Sequence, residues 1–191
     1  MDYDRMRLEE MAAISDFLHG LSTDQWDHPS LCEGWRMRDV VSHMCIGYTT
    51  PLSIGFGSSH TPEEILAVFD SIHEHNIRKG ITKMIKPQEG LVDHLIHHQD
   101  IRRPLGQPRA MPEDRLLAAL GVVPGLGGFV ASKKRVAGLH LVATDVDWAH
   151  GEGPEVDGTG EAILLVASGR AVALPELDGE GVETLRQRLA A

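Results

Sequence analysis

Cysteine is scarce in this chain of 191 residues: there are two, Cys32 and Cys45. Two thiols make no disulfide framework, and the expectation is a pair of reduced thiols in a cytoplasmic protein. Cys32 falls in a loop just before a helix, where it could be exposed. Long apolar runs are missing too. None approaches the roughly 20 residues that span a bilayer, so no membrane role is expected. The charged opening MDYDRMRLEE reads as the start of a helix and not as a signal peptide. Basic charge is in short supply, with 18 Lys and Arg against 28 Asp and Glu and a net charge of −10. The basic clusters, Arg102–Arg103 and Lys133–Arg135, are short. Without a basic stripe to neutralise phosphates, nucleic-acid binding is excluded. There is no internal repeat and no low-complexity segment. The glycine-rich GVVPGLGGF lacks the strand–GxxxxGK–helix order of a phosphate loop and reads as an apolar connector.

Histidine is plentiful, with eleven in the chain. The stretch LVDHLIHHQDIRRPLG, residues 91–106, holds Asp93, His94, His97, His98 and Asp100. Positions three and four apart share a helix face. Asp93, His97 and Asp100 therefore form one stripe, and His94 with His98 a neighbouring one. Leu91, Val92, Leu95 and Ile96 supply the apolar side. Such a cluster is either a solvated face or part of a metal site. A carboxylate and an imidazole four apart can grip one divalent cation, but a third ligand must come from elsewhere. His43, at the edge of an apolar helix face, is the candidate.

Taken in order, a first helix is expected over residues 4–21, with Leu8, Met11, Ala12, Ser15, Leu18 and Leu21 at helical spacing. A capped turn at Ser22–Trp26 follows, then a loop to Gly34. A second helix is expected from about Arg36 to Thr49, with Met37, Val40, Val41, Met44 and Tyr48 on its apolar face. Thr61-Pro-Glu-Glu64 carries a capping box and a proline suited to a first turn, so a third helix runs to about Ile81. The fourth is the histidine-rich stretch, stopped near Pro104. Another starts at Pro112 and ends near Leu120. From Val136 the pattern changes: GLHLVATDVDW alternates like a strand, HGEGPE turns, and helices are expected from Thr159 to Gly169 and from Gly179 onward. The chain thus reads as mainly α, with a helical bundle over residues 1–130 and a small α/β piece over 131–191.

Three stretches resemble a known family. PSLCEGWRMRDVVSHM (Pro29–Met44) and IHHQDIRRPLG (Ile96–Gly106) are similar, in that order, to the two signatures of the mycothiol-dependent maleylpyruvate isomerase-like proteins, which belong to the DinB-like metal-binding four-helix bundles. GLHLVATDVDWAHGEGPEVDGTGEAILLVASGR (Gly138–Arg170) resembles the C-terminal part of the same group. The resemblance implies a DinB-like bundle and a divalent metal, zinc first, held by His43, Asp93 and His97. The family pattern has Glu where this chain has Asp93, a side chain one methylene shorter. His94 with His98 is the other equally spaced pair. The resemblance also implies mycothiol, or a similar low-molecular-weight thiol, as co-substrate for attack on a small electrophile.

On this reading the protein is a transferase or isomerase whose metal turns a thiol into the reactive anion. The alternatives are a non-catalytic metal-binding or sensor protein of the same fold, or a hydrolase using metal-activated water. Asp100 could orient His97 through its second ring nitrogen. Arg102 and Arg103 could hold a cofactor or substrate carboxylate by paired hydrogen bonds. Trp35 is expected in the core and Asp39 beside Arg36 or Arg38. The partners expected are small molecules and, at most, a second copy in a homodimer.

Overall fold

A computed structural model describes residues 1–45, 56–78, 83–127, 130 and 132–190. They fall into two compact units, one running from Asp2 to Arg109 and the other from Ala110 onward.

The first unit is helical. Its elements are α1 (Tyr3–His19), α2 (Thr23–Trp26), α3 (Met37–Met44), α4 (Phe56–Ser59), α5 (Pro62–Glu74) and α6 (Pro87–Arg102). The long helices close a four-membered ring, in which α1 and α3 each pack on both α5 and α6. Met11, Ile14 and Leu18 of α1 meet Met37, Val40, Val41 and Met44 of α3, Ile65, Phe69 and Ile72 of α5, and Ile101 of α6. This is the expected bundle.

Each helix has a local cause. Asp2 accepts from the amide of Arg5 to cap α1. The capping box predicted at Thr61 and Glu64 is present, with Pro62 in the first turn of α5. That helix ends at Glu74, well short of Ile81. Asn76 adopts a left-handed φ of 44° just beyond it, and its side-chain oxygen accepts from Arg7, 2.5 Å away. A short polar side chain tolerates this conformation where others would not. Residues 79–82 lie outside the described set, as do Tyr48 and Thr49 of the expected second helix.

Helix α1 differs from its sequence reading. Leu8, Ala12 and Ser15 are half-buried, while Arg7 and Glu10 are buried. The inward stripe therefore includes two charged residues. Helix α6 is buried nearly all round, from Gly90 to Ile101 with Asp93 the exception. Its histidines are not a solvated face.

The second unit contains α7 (Glu113–Leu120), α8 (Ser132–Val136), β1 (His140–Ala143), β2 (Ala149–His150), β3 (Glu155–Gly158), α9 (Gly160–Ala167), β4 (Leu177–Asp178) and α10 (Val182–Ala190). The sheet order is β2-β1-β3-β4. Strand β1 pairs antiparallel with β2 and parallel with β3, and β4 closes the other edge antiparallel to β3. The turn between β2 and β3 needs glycine: a Cβ on Gly153, at φ +131°, would lie 2.2 Å from the carbonyl oxygen of Gly138. Thr159 caps α9. A Cβ on Gly160 would touch Leu116 and Leu120 of α7, so α7 packs at the start of α9. The sequence places α7 in the first 130 residues with the bundle; its contacts group it with the sheet instead. Among the described residues no helix is long and apolar enough to cross a membrane.

Candidate metal centre

Helix α6 presents three different faces. One carries Asp93, His97 and Asp100. His43 of α3 approaches it from across the bundle, its Nε2 lying 3.8 Å from Asp93 Oδ1. Nε2 of His97 lies 3.4 Å from the same oxygen. The two imidazole rings meet edge to face with centroids 5.0 Å apart. One ligand atom from each of the three residues falls within 4.8 Å of the others. Bonds of about 2.0–2.1 Å at tetrahedral angles set ligand atoms about 3.3–3.4 Å apart. The trio is thus close to the spacing that a single cation imposes, and the shorter Asp93 reaches it. Its side chains are unequally exposed: Asp93 37%, His43 30%, His97 9%. The site is open to solvent on the side of Asp93 and His43 and closed behind His97.

Closure behind His97 is the work of Asp100 and Cys32. His97 Nδ1 lies 2.8 Å from Asp100 Oδ2, and the Cys32 thiol donates to the same oxygen at 3.2 Å. The loop that carries Cys32 is tightly tied. Trp35 N–H bonds to Cys32 O, Ser30 N–H to Trp35 O and Met37 N–H to His28 O, while Leu31 N–H donates to the backbone oxygen of Asp100 at 3.1 Å. Gly34 takes a left-handed φ of 75° in this turn. Trp35 lies against the His43 ring, centroids 5.3 Å apart, as well as on the core. Asp39 pairs with Arg36, accepting from its amide at 2.9 Å and from its guanidinium.

Charges in the site are strongly coupled. Burial alone would raise the Asp93 carboxyl, but the charge of His97 and the close approach of the His97 and His43 rings outweigh it and hold it well below the usual range. Burial alone would lower His97, but the charge of Asp93 and the hydrogen bonds to Asp100 and Asp93 hold its imidazole well above the usual value.

Among the described residues, the other two histidines of α6 do not converge on a third ligand. His94 is buried with Nδ1 against the carbonyl oxygen of Gly90. Burial lowers its pKa. His98 bonds through Nδ1 to Glu10 of α1 at 2.6 Å, and Arg109 also donates to that carboxylate. Burial pushes Glu10 up, but hydrogen bonds and charge from His98 and Arg109 outweigh it and bring its pKa to about 2. Arg102 is on this side of the helix. It bonds to the Gln107 carbonyl at 2.8 Å, reaches His98 Nε2 at 3.5 Å and covers the Phe17 ring at 4.3 Å. It also lines a shallow cavity of about 360 Å³ with Asp16, Phe17, Gln25 and Gln107. Arg103 is half-buried and opens the 3-10 turn Arg103–Leu105.

The structure brings together His43, Asp93 and His97, with Asp100 behind, all singled out in the sequence, and sets beside them Cys32 and Trp35, which the sequence reading does not place there. Both fall in the quoted PSLCEGWRMRDVVSHM stretch, and that shared stretch with His43 was the available signal.

Residues 7–75 match the family model of the mycothiol maleylpyruvate isomerase N-terminal domain. Two solved structures have a similar fold. One is a histidine-to-alanine mutant of mycothiol-dependent maleylpyruvate isomerase, with a TM-score of 0.65 and 14% identity over 94% of this chain and 92% of that one. The other is mycothiol-dependent maleylpyruvate isomerase itself, with a TM-score of 0.57 and 12% identity over the same shares. No curated protein sequence matches the chain.

Proposed function

Since this chain is maleylpyruvate isomerase-like, with that family's N-terminal domain over residues 7–75 and a similar fold along 94% of its length, we propose that it is a metal-dependent enzyme that transfers a low-molecular-weight thiol to a small electrophile or isomerises the adduct. The observation that carries the reading is the convergence of His43, Asp93 and His97 from two helices. Two imidazoles and one carboxylate suit zinc and leave a coordination position for a reactant, the form of a catalytic site. A divalent cation held there would lower the pKa of an arriving thiol and keep it as the nucleophilic anion.

The chain's own residues supply the rest. His97, closed off behind by Asp100 and Cys32, offers Nε2 on the open side. Asp93 and His43 border solvent, so thiol and electrophile enter past them. Trp35 restrains the His43 ring from one side. Arg102 is committed to Gln107, His98 and Phe17. The thiol matching the family's name is mycothiol.

The test is elemental analysis of the purified protein together with a thiol-dependence screen of electrophiles. One zinc per chain is expected, lost in His43→Ala and in His97→Ala, with turnover that requires added thiol. Turnover without thiol would instead indicate a hydrolase. Protein that takes up no metal from zinc-containing medium would sink the proposal.

A further inference from the structure

The side of His97 that faces away from Asp93 is as elaborately furnished as the side that faces it. Asp100 is completely buried. A carboxylate is not left out of water without partners, because desolvating it costs several kcal/mol unless donors surround it. Its donors here are specific. Oδ2 faces His97 Nδ1 at 2.8 Å and receives the Cys32 thiol at 3.2 Å. Its backbone oxygen receives the Leu31 amide at 3.1 Å. The loop before α3 is thereby fastened to the same turn of α6 that carries the histidine.

We propose that Asp100, backed by the Cys32 thiol, is the positioning residue that fixes His97 with its proton on Nδ1 and its Nε2 lone pair toward His43 and Asp93. The inference rests on the metal-site reading above. A neutral imidazole has one N–H and one lone pair, and the partner of one nitrogen decides which is which. An acceptor-only carboxylate at Nδ1 forces the proton there. Cys32 donates to the same oxygen, and its sulfur lies 3.9 Å from His97 Nδ1, so it holds the carboxylate in register beside the Nδ1 proton and leaves the Nε2 lone pair untouched. An arrangement of this kind fixes ring orientation and raises the basicity of the ligand nitrogen.

The experiment loads the full chain with zinc alone or cobalt alone and compares the parent with Asp100→Asn and Cys32→Ser. In the zinc-loaded parent, imidazole nitrogen NMR should show His97 protonated at Nδ1. Metal or lone pair at Nδ1 overturns the proposal, and this measurement needs no variant to fold. An Asn amide can donate to Nδ1 and move the proton to Nε2. Asp100→Asn should therefore lose about 10–100-fold in zinc affinity, measured against a chromophoric chelator, and its metal-free neutral His97 should carry the proton on Nε2. Parental affinity in a folded Asp100→Asn overturns it. Cys32→Ser keeps a donor to the Asp100 carboxylate and should bind zinc within about threefold of the parent, because the hydrogen bond is replaced and not removed. A sulfur-to-cobalt charge-transfer band that vanishes in Cys32→Ser would make Cys32 a ligand and overturn its supporting role. Zinc binding unaffected by both His43→Ala and His97→Ala would instead bring down the metal-site reading, and this inference with it.

Discussion

Asp93 and His97 face each other across the candidate metal site, 3.4 Å apart. Asp93 and Asp100 hold His97 well above the usual imidazole value, which favours its protonated form in chelator-treated protein. That proton stabilises the fold fully below the unfolded value near 6.5, and the contribution is lost as pH rises through the raised value. Metal must displace it. Zinc uptake at pH 7 should therefore release about one proton from this ring, measurable by titration calorimetry in buffers of different ionisation enthalpy, and affinity should fall as pH is lowered. Glu10 behaves in the opposite sense. Its pKa of about 2 lies below the ordinary 4.5, so its contribution is present above 4.5 and is lost as pH falls toward 2. The shift corresponds to about 3 kcal/mol. Glu10→Ala, which strands the Glu10 partners His98 and Arg109, should lower unfolding free energy by about 3 kcal/mol in urea titrations at pH 7. A loss under 1 kcal/mol would mean the cluster is not coupled as drawn. Neither buried charge was legible in sequence, because a hydrophobic pattern counts apolar residues and is blind to charges that go inside as partners. Arg7 and Glu10 look like solvent-facing positions until α5 and α6 bring Asn76 and His98 to them.

Helices, by contrast, announced themselves. The i, i+4 pair Asp93 and His97 was legible because helical periodicity alone puts both on one stripe, and the Thr61–Glu64 box because its chemistry is local. The loop that carries Cys32 was not, since its place depends on the Leu31 amide finding Asp100, some seventy positions away in sequence. The apolar spacing continues past the left-handed Asn76 that stops α5, so the sequence pattern alone overruns its end. The turn joining β2 and β3 offers the sharpest test at this scale. Gly153→Ala forces a Cβ to within 2.2 Å of a backbone oxygen at a φ of +131°. Unfavourable backbone of this kind costs about 1–3 kcal/mol before the clash is counted. The variant should therefore unfold at least about 2 kcal/mol more easily, while Gly125→Ala, with open space at its Cβ, should be near neutral in the same assay.

For the molecule as a whole, a cation held as proposed should act as a stabilising ligand. At 100 times its dissociation constant it adds about 2.7 kcal/mol, which in a chain of this size moves the melting temperature by about 5–10 °C. Scanning calorimetry with and without chelator should show that shift in the parent and none in His43→Ala. The two thiols add one more handle. Cys45 is wholly enclosed by the bundle core, and burial drives its thiol up to about 12, whereas Cys32 is partly accessible. A maleimide dye at neutral pH will therefore mark at most one sulfur per folded chain and two per unfolded chain. The rate at which the second label appears is a stopwatch for opening of the helical bundle, built into the native protein without any engineered reporter.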